Sequence, residues 1–382
     1  MKKNESNSSI IFIGFFLTFF SGFGQTFFIS IFADKILENF EMSYSLWGLI
    51  YFFGTILSAL SMIFFGSLID KYTPNKIIFL FFLIYSLSCF MMAFNQLVII
   101  LIITIFLLRL CGQGMLSHIA IVLAGKYFQK KRGKALAIVT LGFSLAESLL
   151  PIAFVYLMNI FSWKECWFLI GILLLIINFS FTFTIRNKVF KKNQKKDDHV
   201  IQKGLRNIFW DRKKMLKNWV FWISLPAFIS QPAFTTVFFF QQVIFIKEKN
   251  WDLQSYITLL PIYTSFSLVG LFLGGYIIDK FGIKILLPFF LFPLSFGLLI
   301  CSYSMNLTHV SFALSLLGLM QGLGSVIFGS FWPEFYGTKN LGSIRSLVTS
   351  IIIFSTALGP LISGYMMENK IYMESQYFLF SI

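Results

Sequence analysis

Eleven apolar stretches, each about the length that crosses a bilayer, leave this chain little choice of fold. A hydrocarbon core takes about 20 apolar residues of helix. Stretches of that order fall near 10–32, 46–69, 77–94, 97–125, 134–159, 163–185, 219–246, 255–278, 285–304, 309–335 and 343–367. Backbone polar groups find no water there, so each stretch is expected to be helical. Residues 376–382 resemble the opening of a twelfth span cut short, as in a fragment. A soluble globule of 382 residues could not hide a 57% hydrophobic fraction behind 12% charged residues. The first stretch follows Lys2 and Lys3 as a signal peptide would, but it is too long for a cleaved segment and lacks a small-residue cleavage site.

The long polar run, Arg186 to Lys217, divides the spans. It holds twelve Lys/Arg against three Asp and supplies +9 of the formal +15 charge. Its charge lies between apolar spans rather than on the face of a folded domain, which argues against a nucleic-acid partner. The expected organisation is a six-helix bundle over 1–185, a basic cytoplasmic linker over 186–218, and a second bundle over 219–382 with five full spans and the start of a sixth. Within the linker, Leu205, Ile208, Phe209, Met215 and Leu216 recur at roughly helical spacing. That spacing fits either a short helix lying on the membrane surface or a disordered basic loop.

Charge placement sets orientation. With the N-terminus inside, inner segments carry 25 Lys/Arg and outer loops five, Arg109 lying inside a span. The four cysteines fall in separate segments without metal-ligand spacing, so neither a disulfide framework, a metal site nor a cofactor is expected.

The halves repeat. Asp70 and Asp279, Pro151 and Pro360, Tyr156 and Tyr365, and Met158 and Met367 each stand 209 residues apart, and Gln113-Gly114 precedes Gln321-Gly322 by 208. A parallel repeat of this kind is the arrangement of transporters with two similar halves around a midplane site.

Gly66-Ser-Leu-Ile-Asp70-Lys71-Tyr-Thr73-Pro-Asn-Lys76 and Gly275-Tyr-Ile-Ile-Asp279-Lys280-Phe-Gly282-Ile-Lys284 both resemble the loop motif G-x-x-x-D-[RK]-x-G-x-[RK]-[RK] of the major facilitator superfamily, with Thr73 in place of one glycine. Arg109-Leu-Cys-Gly112-Gln113-Gly114 resembles its fourth-span signature. The resemblance covers the whole chain apart from the missing twelfth span. It implies an all-α polytopic fold of two pseudo-symmetric six-helix bundles, with Gly66, Asp70, Lys71, Gly275, Asp279 and Lys280 as gating residues. Tyr127 to Ala137 also resembles an element of the monocarboxylate porters and oxalate/formate exchangers, although their first-span motif is absent.

Arg109 draws attention first. A guanidinium inside a span costs at least about 2.5–3.5 kcal/mol on insertion scales and should face protein or a cavity. Glu147 lies at a similar depth on the next helix, which suggests an Arg109–Glu147 pair; alternatively Glu147 carries a coupling proton. His118 follows Arg109 by nine residues, about half a turn round, and is read as either a packing residue or a proton carrier. Gln25, Gln113, Gln231 and Gln321 are candidate polar liners of a translocation path, or amides that join helices. Tyr51, Tyr263 and Trp332 are candidate aromatic liners, although in a chain with 19% aromatics a lipid-facing position is the favoured reading of any one of them. The small pairs Gly54/Ser58, Gly270/Gly274 and Gly318/Gly322 are expected to serve packing.

The reading is a secondary active transporter of the bacterial inner membrane, N-terminus cytoplasmic, moving a small solute by alternating access under ion or solute coupling. A carboxylate is favoured because arginine offers a bidentate contact. An efflux carrier for a hydrophobic or neutral solute, or a non-transporting sensor of the same fold, is the alternative. An enzyme is not expected: Ser117 and His118 are the nearest approach to a nucleophile and base, and neighbours on a helix point apart. The expected partners are the solute, the lipid bilayer and a coupling proton, and the chain is expected to be a monomer.

Overall fold

A computed structural model of the chain describes residues 2–66, 68–127, 132–184, 204–337 and 340–382; the side chains of 2–8, 70, 71, 125–127, 132–137, 182–184, 206, 279, 341–343 and 346 lie outside that description. The described residues are helices joined by short turns, with no strand among them. Nine helices are long and apolar enough to span a membrane among the described residues, or ten counting a bent pair at the start as one span. Exposed Phe53, Phe64, Ile99, Ile223, Phe272 and Phe312 give the helices the greasy flanks that lipid contact requires.

The chain divides into two compact units, Met1–Asp197 and Asp198–Ile382. In the first, α1 is Lys2–Phe20, α2 Tyr44–Phe65 and α3 Pro74–Phe94. Val98–Leu108 begins α4, which continues through a π-helical segment, Arg109–Leu116, into Ser117–Tyr127; α5 is Arg132–Leu157 and α6 Trp163–Thr184. In the second unit, α7 is Trp219–Phe240, α8 Leu260–Phe281, α9 Phe292–Ser302, α10 Leu307–Tyr336, α11 Leu341–Glu368 and α12 Met373–Ser381. Side-chain caps set several starts: Ser43 accepts from the Leu46 amide, Asn218 from Val220 and Asn306 from His309.

The repeat read from spacing reappears as packing. In the first unit α1 packs on α5, α2 on α4 and α3 on α6; in the second α7 packs on α11, α8 on α10 and α9 on α12. Pro151, Pro226, Pro232, Pro333 and Pro360 all sit inside helices. Apolar surroundings hold the helix together where water would favour a break. The α8–α10 seam is closed by glycine: a Cβ on Gly270 would meet the Leu319 carbonyl, and one on Gly318 the Tyr263 carbonyl.

Three expectations change. The first span, drawn as 10–32, is not one helix: α1 gives way to a 3-10 turn at Ser21–Gly24, the chain is extended at Gln25, and helix resumes from Thr26, with a 46° bend between Ser9–Gly24 and Thr26–Phe40. Gly22 and Gly24 weaken the helix there. Only Phe292–Ser302 of the ninth stretch is regular helix, because Pro288 cannot donate and Pro293 starts the helix afresh. The linker's described end contains a short helix, Arg212–Leu216, and packs partly into the second unit. Trp210 and Met215 are buried in the core of the second unit with Phe221, Trp332 and Tyr336. The Trp210 carbonyl accepts from Asn340 Nδ2 at 2.7 Å, and Asp211 caps the short helix Arg212–Leu216. Ile208, Phe209 and Leu216 remain exposed.

Candidate functional site

The break in α1 organises the first unit. Beyond it, Phe28 sets its ring against Phe154 of α5 at 5.1 Å and Trp167 of α6 at 5.7 Å, which anchors the resumed helix. On the other side the break lies against the π-helical segment of α4. A Cβ on Gly112 would come within 2.7 Å of Gly24 Cα and 2.6 Å of the Tyr85 hydroxyl, so the backbones touch where only glycine fits. Tyr85 donates to the Phe20 and Ser21 carbonyls, both at 3.3 Å, and seals this contact.

Arg109 opens the π segment and is wholly buried. Its Nη1 donates to Thr26 Oγ1 at 3.0 Å, and its guanidinium carbon stands 5.2 Å from the centre of the Tyr51 ring. Tyr51 in turn donates to the same Thr26 oxygen at 2.7 Å. The expected Arg109–Glu147 pair is not formed. Glu147 is 5% exposed, and no hydrogen bond or ion pair reaches its carboxylate among the described residues. Similar depth on adjacent helices did not bring the two together, because the Arg109 side chain contacts α1 and α2 rather than α5.

His118 was expected to face away from Arg109, yet both side chains reach α2: His118 Nε2 lies 3.0 Å from the Gly66 carbonyl, and Arg109 stacks on Tyr51. The wide turns of the π segment between them absorb about one residue of helical rotation. Ser117 Oγ points instead to Ser21 Oγ on the 3-10 turn, at 3.0 Å, so serine and histidine do not form a nucleophile–base pair.

The amide residues sort by unit. Gln25 holds the extended position of the break and is 8% exposed, and Gln113 lies one turn beyond Arg109 with its Oε1 buried and without a hydrogen-bond partner among the described residues. In the second unit Gln231 of α7 donates to Gln321 Oε1 of α10 at 2.7 Å, joining the two helices. Tyr51, Tyr263 and Trp332 are all buried, not lipid-facing. Tyr263 sets its ring edge-on to Phe239 at 5.2 Å, and Trp332 packs against Phe228 at 5.1 Å.

Of the gating motif, the side chains of Asp70, Lys71 and Asp279 lie outside the described residues. Gly66 ends α2 beside His118, whereas a Cβ on Gly275 would meet nothing within 4 Å, so close helix approach does not require glycine there. Lys280 is exposed, its Nζ 3.2 Å from the Tyr276 hydroxyl and 5.2 Å from the centre of the Phe281 ring, a stem folded along aromatic surface. Residues the sequence reading missed are Thr26 and the π segment itself. The clue was a polar pair, Gln25-Thr26, behind two glycines in the middle of an apolar stretch.

The family model described as Major Facilitator Superfamily matches residues 14–360. Among solved structures, a bacterial homologue of the human lysosomal transporter Spinster, in an inward-facing and unoccupied conformation, is similar with a TM-score of 0.69 at 15% identity over 95% of this chain and 83% of that one. The nucleoside transporter NupG is similar with a TM-score of 0.68 at 15% identity over 97% of this chain and 95% of that one. No curated protein sequence matches the chain. At such identities the likeness shows the fold alone. The resemblance of 127–137 to the monocarboxylate-porter element is not borne out by these comparisons, and residues 128–131 lie outside the described residues.

Proposed function

The chain belongs to the major facilitator superfamily, and on that premise we propose that it is a secondary transporter that moves a small organic anion, by alternating access, across a bacterial inner membrane with its N-terminus cytoplasmic. The orientation rests on the 25-to-5 division of Lys/Arg between inner and outer segments. The solute class rests on one observation: Arg109 is wholly buried within the fourth span, its guanidinium set against Thr26 and Tyr51. A guanidinium kept at membrane depth at an insertion cost of about 2.5–3.5 kcal/mol marks a functional site. A carboxylate meets its two parallel donors. Uptake into proteoliposomes, tested for inhibition by mono- and dicarboxylates, amino acids, sugars and nucleosides, checks the class. Inhibition by carboxylates is expected, and inhibition by nucleosides or sugars alone would contradict it.

Glu147 supports a proton as the coupling ion. It is a carboxylate within a span, nearly closed from solvent and with no hydrogen bond or ion pair among the described residues. A carboxyl so placed is far easier to keep neutral than charged. Glu147→Gln fixes the neutral form. Uptake driven by an imposed pH gradient is expected to fall to background in this variant, while exchange of internal for external solute continues. Loss of both, with the protein folded, would make Glu147 structural instead.

A further inference from the structure

We propose that Thr26 is the positioning residue for Arg109: the hydroxyl just past the break in α1 fixes the direction of the buried guanidinium and so the acceptance of a carboxylate. The inference rests on the reading of Arg109 as the group that meets the solute.

The Thr26 oxygen has two lone pairs, and both are in use. One accepts from Tyr51 at 2.7 Å and the other from Arg109 Nη1 at 3.0 Å. Three elements therefore meet on one atom: the resumed first helix, α2 and α4. The triangle is closed by Tyr51, whose ring carries the guanidinium at 5.2 Å while its hydroxyl donates to Thr26 and accepts from Arg109. Thr26 itself is 7% exposed, so water cannot readily replace the acceptor it provides.

Its place is fixed from behind. Gln25 is extended, and its carbonyl accepts from the Phe28 and Ile29 amides at 3.2 and 3.0 Å, which starts the helix with Thr26 as its first residue. The rings of Phe27 and Phe28 then lock that turn to α5 and α6, Phe27 on Phe143 at 5.9 Å and Phe28 on Phe154 and Trp167. A rigid turn thus presents one oxygen to the guanidinium, alongside the Tyr51 hydroxyl from α2. Guanidinium recognition is directional, because its donors form a planar fork. Turning the fork away from the solute sacrifices the paired contact even though the charge stays.

The test uses the full chain in proteoliposomes, with Thr26→Val, Thr26→Ser and Tyr51→Phe. Valine keeps the shape and removes the acceptor; serine keeps the acceptor. Two readouts are taken: modification of Arg109 by phenylglyoxal, resolved by peptide mass, and the KM and maximal rate for carboxylate uptake. In Thr26→Val, Arg109 is expected to react several-fold faster and KM to rise about tenfold, the loss of one hydrogen bond to a charged group, with the maximal rate little changed. Thr26→Ser should restore both. Tyr51→Phe removes the phenol's own hydrogen bond to Arg109 but leaves the Thr26 acceptor and the ring, so it should speed labelling less than Thr26→Val does. Unchanged labelling in Thr26→Val would overturn the proposal whatever the solute. Should that variant fail to fold, Thr26→Ala takes its place, and unchanged labelling there would overturn the proposal equally. Faster labelling in Thr26→Val with no carboxylate flux in the wild type would leave the positioning role standing and refute the carboxylate reading.

Discussion

Arg109→Lys is expected to raise the KM for a carboxylate solute by about 10- to 100-fold, and Arg109→Ala to abolish measurable uptake, with both proteins folded. Lysine keeps the charge but presents a point donor on a flexible stem, so a paired contact becomes a single one. Losing one charge-assisted hydrogen bond costs about 1.5–3 kcal/mol, and each 1.4 kcal/mol is tenfold in affinity. The alanine variant also removes the group that Thr26 and the Tyr51 ring hold in place. Initial-rate uptake together with a thermal melt in detergent checks this. Unchanged KM in both variants would remove Arg109 from solute recognition and leave it as a helix-joining cation.

Gly322→Val should have the largest effect on stability. A Cβ on Gly322 would fall onto the Ser267 carbonyl and within 2.8 Å of the Gly270 carbonyl carbon, so backbone opposes backbone and neither α8 nor α10 can yield locally. Overpacking of this kind costs about 1–3 kcal/mol or more. Each kcal/mol moves the melting temperature by about 2–4 °C for a unit of this size. A fall of roughly 5–10 °C is expected, with poorer expression. Gly275→Ala is the control. The glycine belongs to the duplicated loop motif, yet its Cβ direction is open to 4 Å, so the melt should be unmoved. Equal losses in the two variants would contradict the assignment of the α8–α10 seam to Gly270, Gly318 and Gly322.

The architecture was legible because hydrophobic length and repeat spacing are properties of the chain itself. An interval of 209 between Asp70 and Asp279 needs no tertiary knowledge, and the same pairing of helices within each unit follows from it. Helix interruptions were less legible. Pro360 and Pro333 sit inside continuous helices while two glycines and a glutamine break α1, since the outcome depends on which neighbour approaches the backbone. The site was half legible. Arg109 stood out by its cost, and Tyr51 was named as an aromatic liner. Thr26 did not stand out, because a threonine among phenylalanines carries no cost that marks it. The Arg109–Glu147 pair failed for a related reason: depth along a helix can be counted from the inner end, but the face a side chain takes cannot once a π segment intervenes. The linker illustrates the same limit, since spacing alone did not distinguish a membrane surface from the second unit's core as the place where Trp210 and Met215 are buried.

Counterflow distinguishes a chain that carries a solute from one that merely senses it. Proteoliposomes loaded with unlabelled carboxylate are placed in a trace of the labelled compound with no ion gradient. A carrier that exposes one site to each side in turn must accumulate label transiently above its external concentration, and Arg109→Ala must erase the overshoot. Saturable binding of the label without any overshoot in the wild type would contradict the carrier reading.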